Sequence, residues 1–118
     1  MEDRDEQYYK KGVNFAELGR YSEALPFFDK AIAINPNDAR VWITRGVVLG
    51  CLGRNSEAVD SFDKAITINP DYSEVWINRG VALIELGRHE EALISFDKAS
   101  AIYPDYTEAW YKQRVDTW

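Results

Sequence analysis

Three prolines, Pro36, Pro70 and Pro104, stand 34 residues apart, and this spacing constrains the fold more than any other feature of the chain. A fixed period of about 20–50 residues marks a stack of like supersecondary units. The prolines close the segments Ala31-Ile32-Ala33-Ile34-Asn35-Pro36, Ala65-Ile66-Thr67-Ile68-Asn69-Pro70 and Ala99-Ser100-Ala101-Ile102-Tyr103-Pro104. Residues 39–72 and 73–106 agree at 21 of 34 positions. The register extends back over residues 5–38. Tyr8, Trp42, Trp76 and Trp110 are equivalent, as are Gly12, Gly46 and Gly80. So are Phe15, Leu49 and Leu83, then Ala24, Ala58 and Ala92, and finally Phe28, Phe62 and Phe96.

Each unit carries two helical periods. Apolar or small residues fall at i, i+4 and i+7 in the first half (Trp42, Gly46, Leu49) and at i, i+4, i+7 and i+8 in the second (Ala58, Phe62, Ala65, Ile66). Between the halves lie Gly19, Gly53 and Gly87, placed to end the first helix in a left-handed cap. Ser22 and Ser56 are expected to cap the second helix. The repeated proline stops it, and Asp38, Ser73 and Thr107 are expected to cap the next. Pro26 departs from the pattern. It falls near the start of the first unit's second helix, one residue deeper than the turn that tolerates proline, and is expected to loosen the ladder there.

This layout resembles the tetratricopeptide repeat family. The resemblance covers residues 5–106 as three full repeats and 107–118 as the start of a fourth. It implies an all-α fold, a right-handed α-solenoid of three helix-turn-helix hairpins with a C-terminal capping helix. The expected organisation is a single domain over 1–118, with repeats 5–38, 39–72 and 73–106 and a terminal helix 107–118. The glycines let the two helices of a hairpin approach, and the phenylalanines fill the space between. A lone hairpin cannot bury this surface, so neighbours must stack. In the terminal helix Arg114 and Thr117 replace the small and apolar residues, which fits a solvated cap with Trp110 packed inward, although Trp118 does not fit that role. The family commonly has Leu one residue before the glycine. Here Lys11, Arg45 and Arg79 stand there, and are expected to lie over the hairpin towards Asp29, Asp63 or Asp97 as surface-grade ion pairs.

Composition excludes several functions. A net charge of −6 with no basic cluster argues against nucleic acid as the ligand. The single cysteine, Cys51, permits no intramolecular disulfide and fits a reducing compartment. The charged opening Met1-Glu2-Asp3-Arg4-Asp5-Glu6 is unlike a signal peptide, and no apolar run approaches the ~20 residues of a membrane span. A cytoplasmic protein without membrane contact is expected. One histidine, His89, and one cysteine do not make a zinc site, and the glycines do not form a phosphate loop. No metal, no cofactor and no catalytic residue is expected, so the chain is read as a non-enzyme.

The resemblance implies that the first helices line a concave groove that holds partners. Carried over by position, one row is Tyr9, Ile43, Ile77 and Tyr111, the next Val13, Val47, Val81 and Val115, and the third Ala16, Gly50 and Ile84. Arg40 and Glu74 flank them. Spacing supports part of this independently, since Ile43 and Val47 form a second apolar stripe about 100° from the core stripe. That stripe is either buried between repeats or partly exposed as a groove. Gly50, lacking a side chain, is expected to leave a depression for a partner's anchor residue. The carboxylate clamp of chaperone-binding members needs Lys, Asn, Asn, Lys and Arg. The matching positions are Tyr9, Val13, Thr44, Glu74 and Asn78, so acidic chaperone tails are not expected to bind. The expected role is a scaffold or adaptor for an apolar or amphipathic protein segment carrying some Lys or Arg. The alternative is a self-association module, a homo-oligomer formed through the terminal helix or the groove.

Overall fold

The computed structural model describes residues 3–104. Six helices fill them: α1 (Arg4–Glu17), α2 (Tyr21–Ile34), α3 (Ala39–Cys51), α4 (Asn55–Ile68), α5 (Ser73–Glu85) and α6 (His89–Ile102). No strand occurs among these residues. The helices pair as α1 with α2, α3 with α4 and α5 with α6, and the hairpins stack in chain order. The architecture is an all-α helical repeat solenoid. The expected terminal helix 107–118, with Trp110, Tyr111 and Trp118, lies outside the described residues.

The turn within each hairpin is made by one glycine. Gly19, Gly53 and Gly87 have φ of +75°, +75° and +76°, a conformation that costs any residue with a Cβ. In the second hairpin the Arg54 N–H donates to the Leu49 carbonyl at 2.9 Å and the Gly53 N–H to the Gly50 carbonyl at 3.0 Å. This paired closure satisfies carbonyls that the helix end leaves open. The second helices begin earlier than expected. Arg20, Arg54 and Arg88 hold the cap position without a side-chain cap bond. Ser22 and Ser56 therefore lie inside the first turn and do not cap. In their place each arginine reaches along its own helix to a glutamate, as in Arg54 Nη2 to Glu57 Oε2 at 2.6 Å. Helix α2 runs unbroken through Pro26.

Between hairpins, Asn35 and Asn69 accept from the N–H of Asn37 and Asp71. The indole N–H of Trp42 donates to the Pro36 carbonyl at 2.8 Å, and Trp76 does the same to Pro70 at 2.9 Å. Asp38 caps α3 by accepting from the Arg40 N–H at 3.1 Å. Ser73 instead occupies the first helical position, after Tyr72.

The core is one continuous cluster running through all three hairpins. Within it, glycine packs directly against phenylalanine. A Cβ placed on Gly12, Gly46 or Gly80 would lie 2.6, 2.5 or 2.7 Å from a ring carbon of Phe28, Phe62 or Phe96. The ring rests directly on the backbone of the opposing helix, which no larger residue permits.

Arg45 and Arg79 do more than pair with surface carboxylates. Arg45 Nε donates to Asp29 of α2 at 2.9 Å while Nη1 donates to Ser61 of α4 at 2.6 Å. Arg79 repeats this with Asp63 at 2.7 Å and Ser95 at 2.7 Å. Both serines are fully buried. Each guanidinium thus joins its own hairpin to the preceding one and satisfies a hydroxyl that water does not reach. The first hairpin uses different chemistry. Phe27 stands where the serines do, and its ring stacks on Phe15 at 5.5 Å and lies 6.5 Å from Tyr8.

Candidate binding groove

Helices α1 and α3 touch directly, and so do α3 and α5, while the second helices show no contact of that extent. The first helices therefore form the inner side of the stack, and their outward residues line its surface. Of the expected row Tyr9, Ile43 and Ile77, the first two are half-buried. Ile77 is only 3% exposed and joins the core cluster on α5, which has α3 beside it. It contributes to the groove floor and offers no surface. Val13, Val81 and Ile84 are half-buried, and Val47 is 41% exposed. Tyr111 and Val115 fall outside the described residues.

The structure brings Val47, Gly50 and Val81 together on one open cleft of about 440 Å³ between α3 and α5. Gly46, Gly53, Phe62 and Ala82 add to its lining, with Cys51, Asn55, Asn78 and Glu85 as its polar groups. Gly50 presents no side chain to the cleft. A Cβ at this position would meet nothing within 4 Å. Phe62 escaped sequence reading as a lining residue because its position is that of a core ring. It stays nearly buried, at 2% exposure, and reaches the cleft only at its inner end.

Arg40, Ile43 and Glu74 meet at a second, smaller cleft of about 220 Å³ with Thr44, Val75 and Tyr72. Tyr72, half-exposed at the inter-repeat turn, was absent from the expected lining, because its position precedes the first helix. Here Arg40 and Thr44 are engaged internally. Arg40 pairs through both Nη atoms with Glu6 of α1, and its guanidinium lies 4.2 Å from the centroid of the Tyr9 ring. Tyr9 Oη and Thr44 Oγ1 are 3.2 Å apart. The hydrogen bonds from Arg40 hold the Glu6 carboxyl below its ordinary range, and the same bonds raise the Arg40 guanidinium further. These contacts tie α1 to α3, so Arg40 and Tyr9 are committed to packing as well as to the surface. Among the described residues no group of three or more His, Cys, Asp or Glu is placed to hold a metal, and no helix is long and apolar enough to cross a membrane.

Stacked hairpins with a continuous core and a lined inner face define a helical-repeat binding scaffold. Tetratricopeptide repeat profiles match residues 6–38, 27–60 and 52–114, and the chain belongs to the tetratricopeptide repeat family. An uncharacterized protein of Methanocaldococcus jannaschii is 40% identical over 42 residues, which are 36% of this chain and 49% of that protein. The solved structure of MamA AMB-1 is 33% identical with a TM-score of 0.79, covering 85% of this chain and 59% of that one. YrrB, described as a TPR protein with an unusual peptide-binding site, superposes with a TM-score of 0.87 at 26% identity, covering 96% of this chain and 58% of its own. The chain thus spans about half to three-fifths of the length of these relatives. Family and neighbours together support a protein–protein interaction module.

Proposed function

We propose that this chain is an adaptor that holds a protein or peptide segment against α1, α3 and α5, with residues 1–118 acting as one binding domain. The observation that carries the reading is the apolar cleft at Gly50, which opens on the inner face beside an exposed Val47. Its lining includes Glu85 and no basic side chain, on a chain of net charge −6. An apolar or amphipathic segment with Lys or Arg next to its anchor complements such a surface. Glu74 stands exposed at one position where a carboxylate clamp requires a cation, and Tyr9 and Val13 replace two more polar positions. Acidic tails are therefore poor ligands on this reading. The role is binding and not catalysis, since the polar groups of the face are paired with one another or solvated. The lone cysteine suits a reducing, cytoplasmic setting.

Selection of a displayed random-peptide library on the purified chain tests this. The expected winners carry one large apolar residue beside Lys or Arg and lose binding to Val47→Asp. Winners rich in Asp and Glu, or equal binding to the variant, would sink the groove.

A second reading is self-association through the groove face, where Val47 is 41% exposed. Light scattering over a concentration series decides it, and a constant monomer mass at high concentration removes it.

A further inference from the structure

Gly50 differs from the other glycines of the described residues. Gly12, Gly46 and Gly80 are required by the rings packed on them, and Gly19, Gly53 and Gly87 by their positive φ. Gly50 meets neither demand. Its φ is not positive, and a Cβ built on it would point into open space. A glycine in a helix lowers stability relative to alanine, because more backbone freedom is lost on folding. The equivalent positions in the neighbouring hairpins hold Ala16 and Ile84, so the helix register accepts larger residues. Nothing in the packing compensates for glycine here. Its bare backbone lines the cleft, and a side chain placed there would enter that open space.

Resting on the groove reading above, we infer that Gly50 is the specificity-determining residue of that groove. It forms the opening of a socket for one unbranched or γ-branched aliphatic side chain, methionine or leucine, on a protein segment whose adjacent Lys or Arg meets Glu85. Val47 and Val81 supply the apolar walls, with the nearly buried Ala82 and Phe62 behind them. About 440 Å³ is at the low end of the ~300–1,000 Å³ that whole small-molecule sites occupy, and it suits an anchor residue with its flanking backbone. Glu85 is exposed at the rim, and no cation among the lining residues competes for it. A basic neighbour on the ligand is therefore attracted and an acidic one repelled.

Cys51 makes the socket directly addressable. It is the single cysteine of the chain, it is exposed, and it lines the cleft. The N-acetylated tripeptides Cys-Leu-Lys, Cys-Ser-Lys and Cys-Leu-Glu, each supplied as its symmetric disulfide, exchange with the Cys51 thiolate and release one peptide thiol. Intact mass at a fixed concentration of reductant reads the labelled fraction. Wild type is expected to resist reduction about tenfold better with Leu-Lys than with Ser-Lys, the effect of burying one aliphatic side chain. Leu-Glu is expected to fall below Leu-Lys. Gly50→Ile is expected to bring Leu-Lys down to the Ser-Lys level, and Gly50→Ala to fall between. Equal labelling of wild type by the Leu and Ser probes overturns the socket, as does labelling that neither Gly50 variant changes. Selected peptides that depend on Val47 yet bind Gly50→Ile unchanged overturn the socket while leaving the groove reading intact, whereas their loss on Gly50→Ile supports it.

Discussion

The guanidinium of Arg45 donates at 2.6 Å to the hydroxyl of Ser61, a side chain with no solvent exposure. The two residues lie on the facing helices of one hairpin, and the same arginine reaches back to Asp29 in the hairpin before it. One side chain therefore serves both the internal packing of a repeat and its attachment to the stack. Arg79 does the same between Asp63 and Ser95.

Replacing Arg45 by Leu, the residue the family commonly carries, should therefore destabilise this chain. It removes the donor that faces the buried Ser61 oxygen, an omission that costs about 1–3 kcal/mol. The double variant Arg45→Leu with Ser61→Ala should recover most of that loss, because the unmatched polar atom is gone. Urea unfolding of the four proteins in this cycle measures the coupling. Additive single effects would show that the contact is incidental.

Two glycines one turn apart on α3 should respond with opposite signs. Gly46→Ala forces the Phe62 ring away from a position 2.5 Å from the new carbon, and overpacking of this kind costs about 1–3 kcal/mol. Gly50→Ala meets open space and should stabilise by up to about 1 kcal/mol. Thermal melts of the two variants check the pair, and a loss at both positions contradicts the geometry described for Gly50.

Trp42→Phe should cost about 0.5–1.5 kcal/mol beyond the small change in apolar area, because the Pro36 carbonyl loses its indole donor. The inter-repeat turn should then exchange its amide hydrogens faster than in wild type. Hydrogen exchange at Asn37 and Asp38 reads this directly, and unchanged protection would show that the turn does not depend on the indole.

Acid should weaken the junction between the first two hairpins. Hydrogen bonds from Arg40 lower the Glu6 carboxyl in the folded chain from its ordinary value of 4.5. The folded state then holds fewer protons than the unfolded chain, so the stabilisation is present above the ordinary value and is lost as pH falls through the lowered one. Arg40→Gln should lower the urea midpoint near neutral pH and flatten its decline on the acid side. Parallel pH profiles for wild type and variant would show that the pair contributes nothing.

Much of this architecture is legible in the sequence because it is local. Gly19, Gly53 and Gly87 announce the turns since only glycine accepts that φ without cost, and the 3.6-residue spacing of the apolar positions defines the faces. The helix starts were less legible. Ser22 and Ser56 are good caps in isolation, but the closure of the preceding turn delivers the chain to Arg20 and Arg54 first. The surface was harder still. Ile43 and Ile77 hold equivalent places in their repeats, yet one lines a cleft and the other is enclosed.

The period of 34 residues and the residue types within it determined by themselves the hairpins of the described residues, the place of each turn, and the glycine that faces each phenylalanine. These follow from backbone geometry repeated along the chain. Tertiary structure alone decided which apolar side chains remain open, which arginines satisfy buried serines, and why Gly46 and Gly50 behave differently. Those outcomes depend on the distance between helices that are remote in sequence, and on whether a ring or empty space lies opposite a given backbone atom.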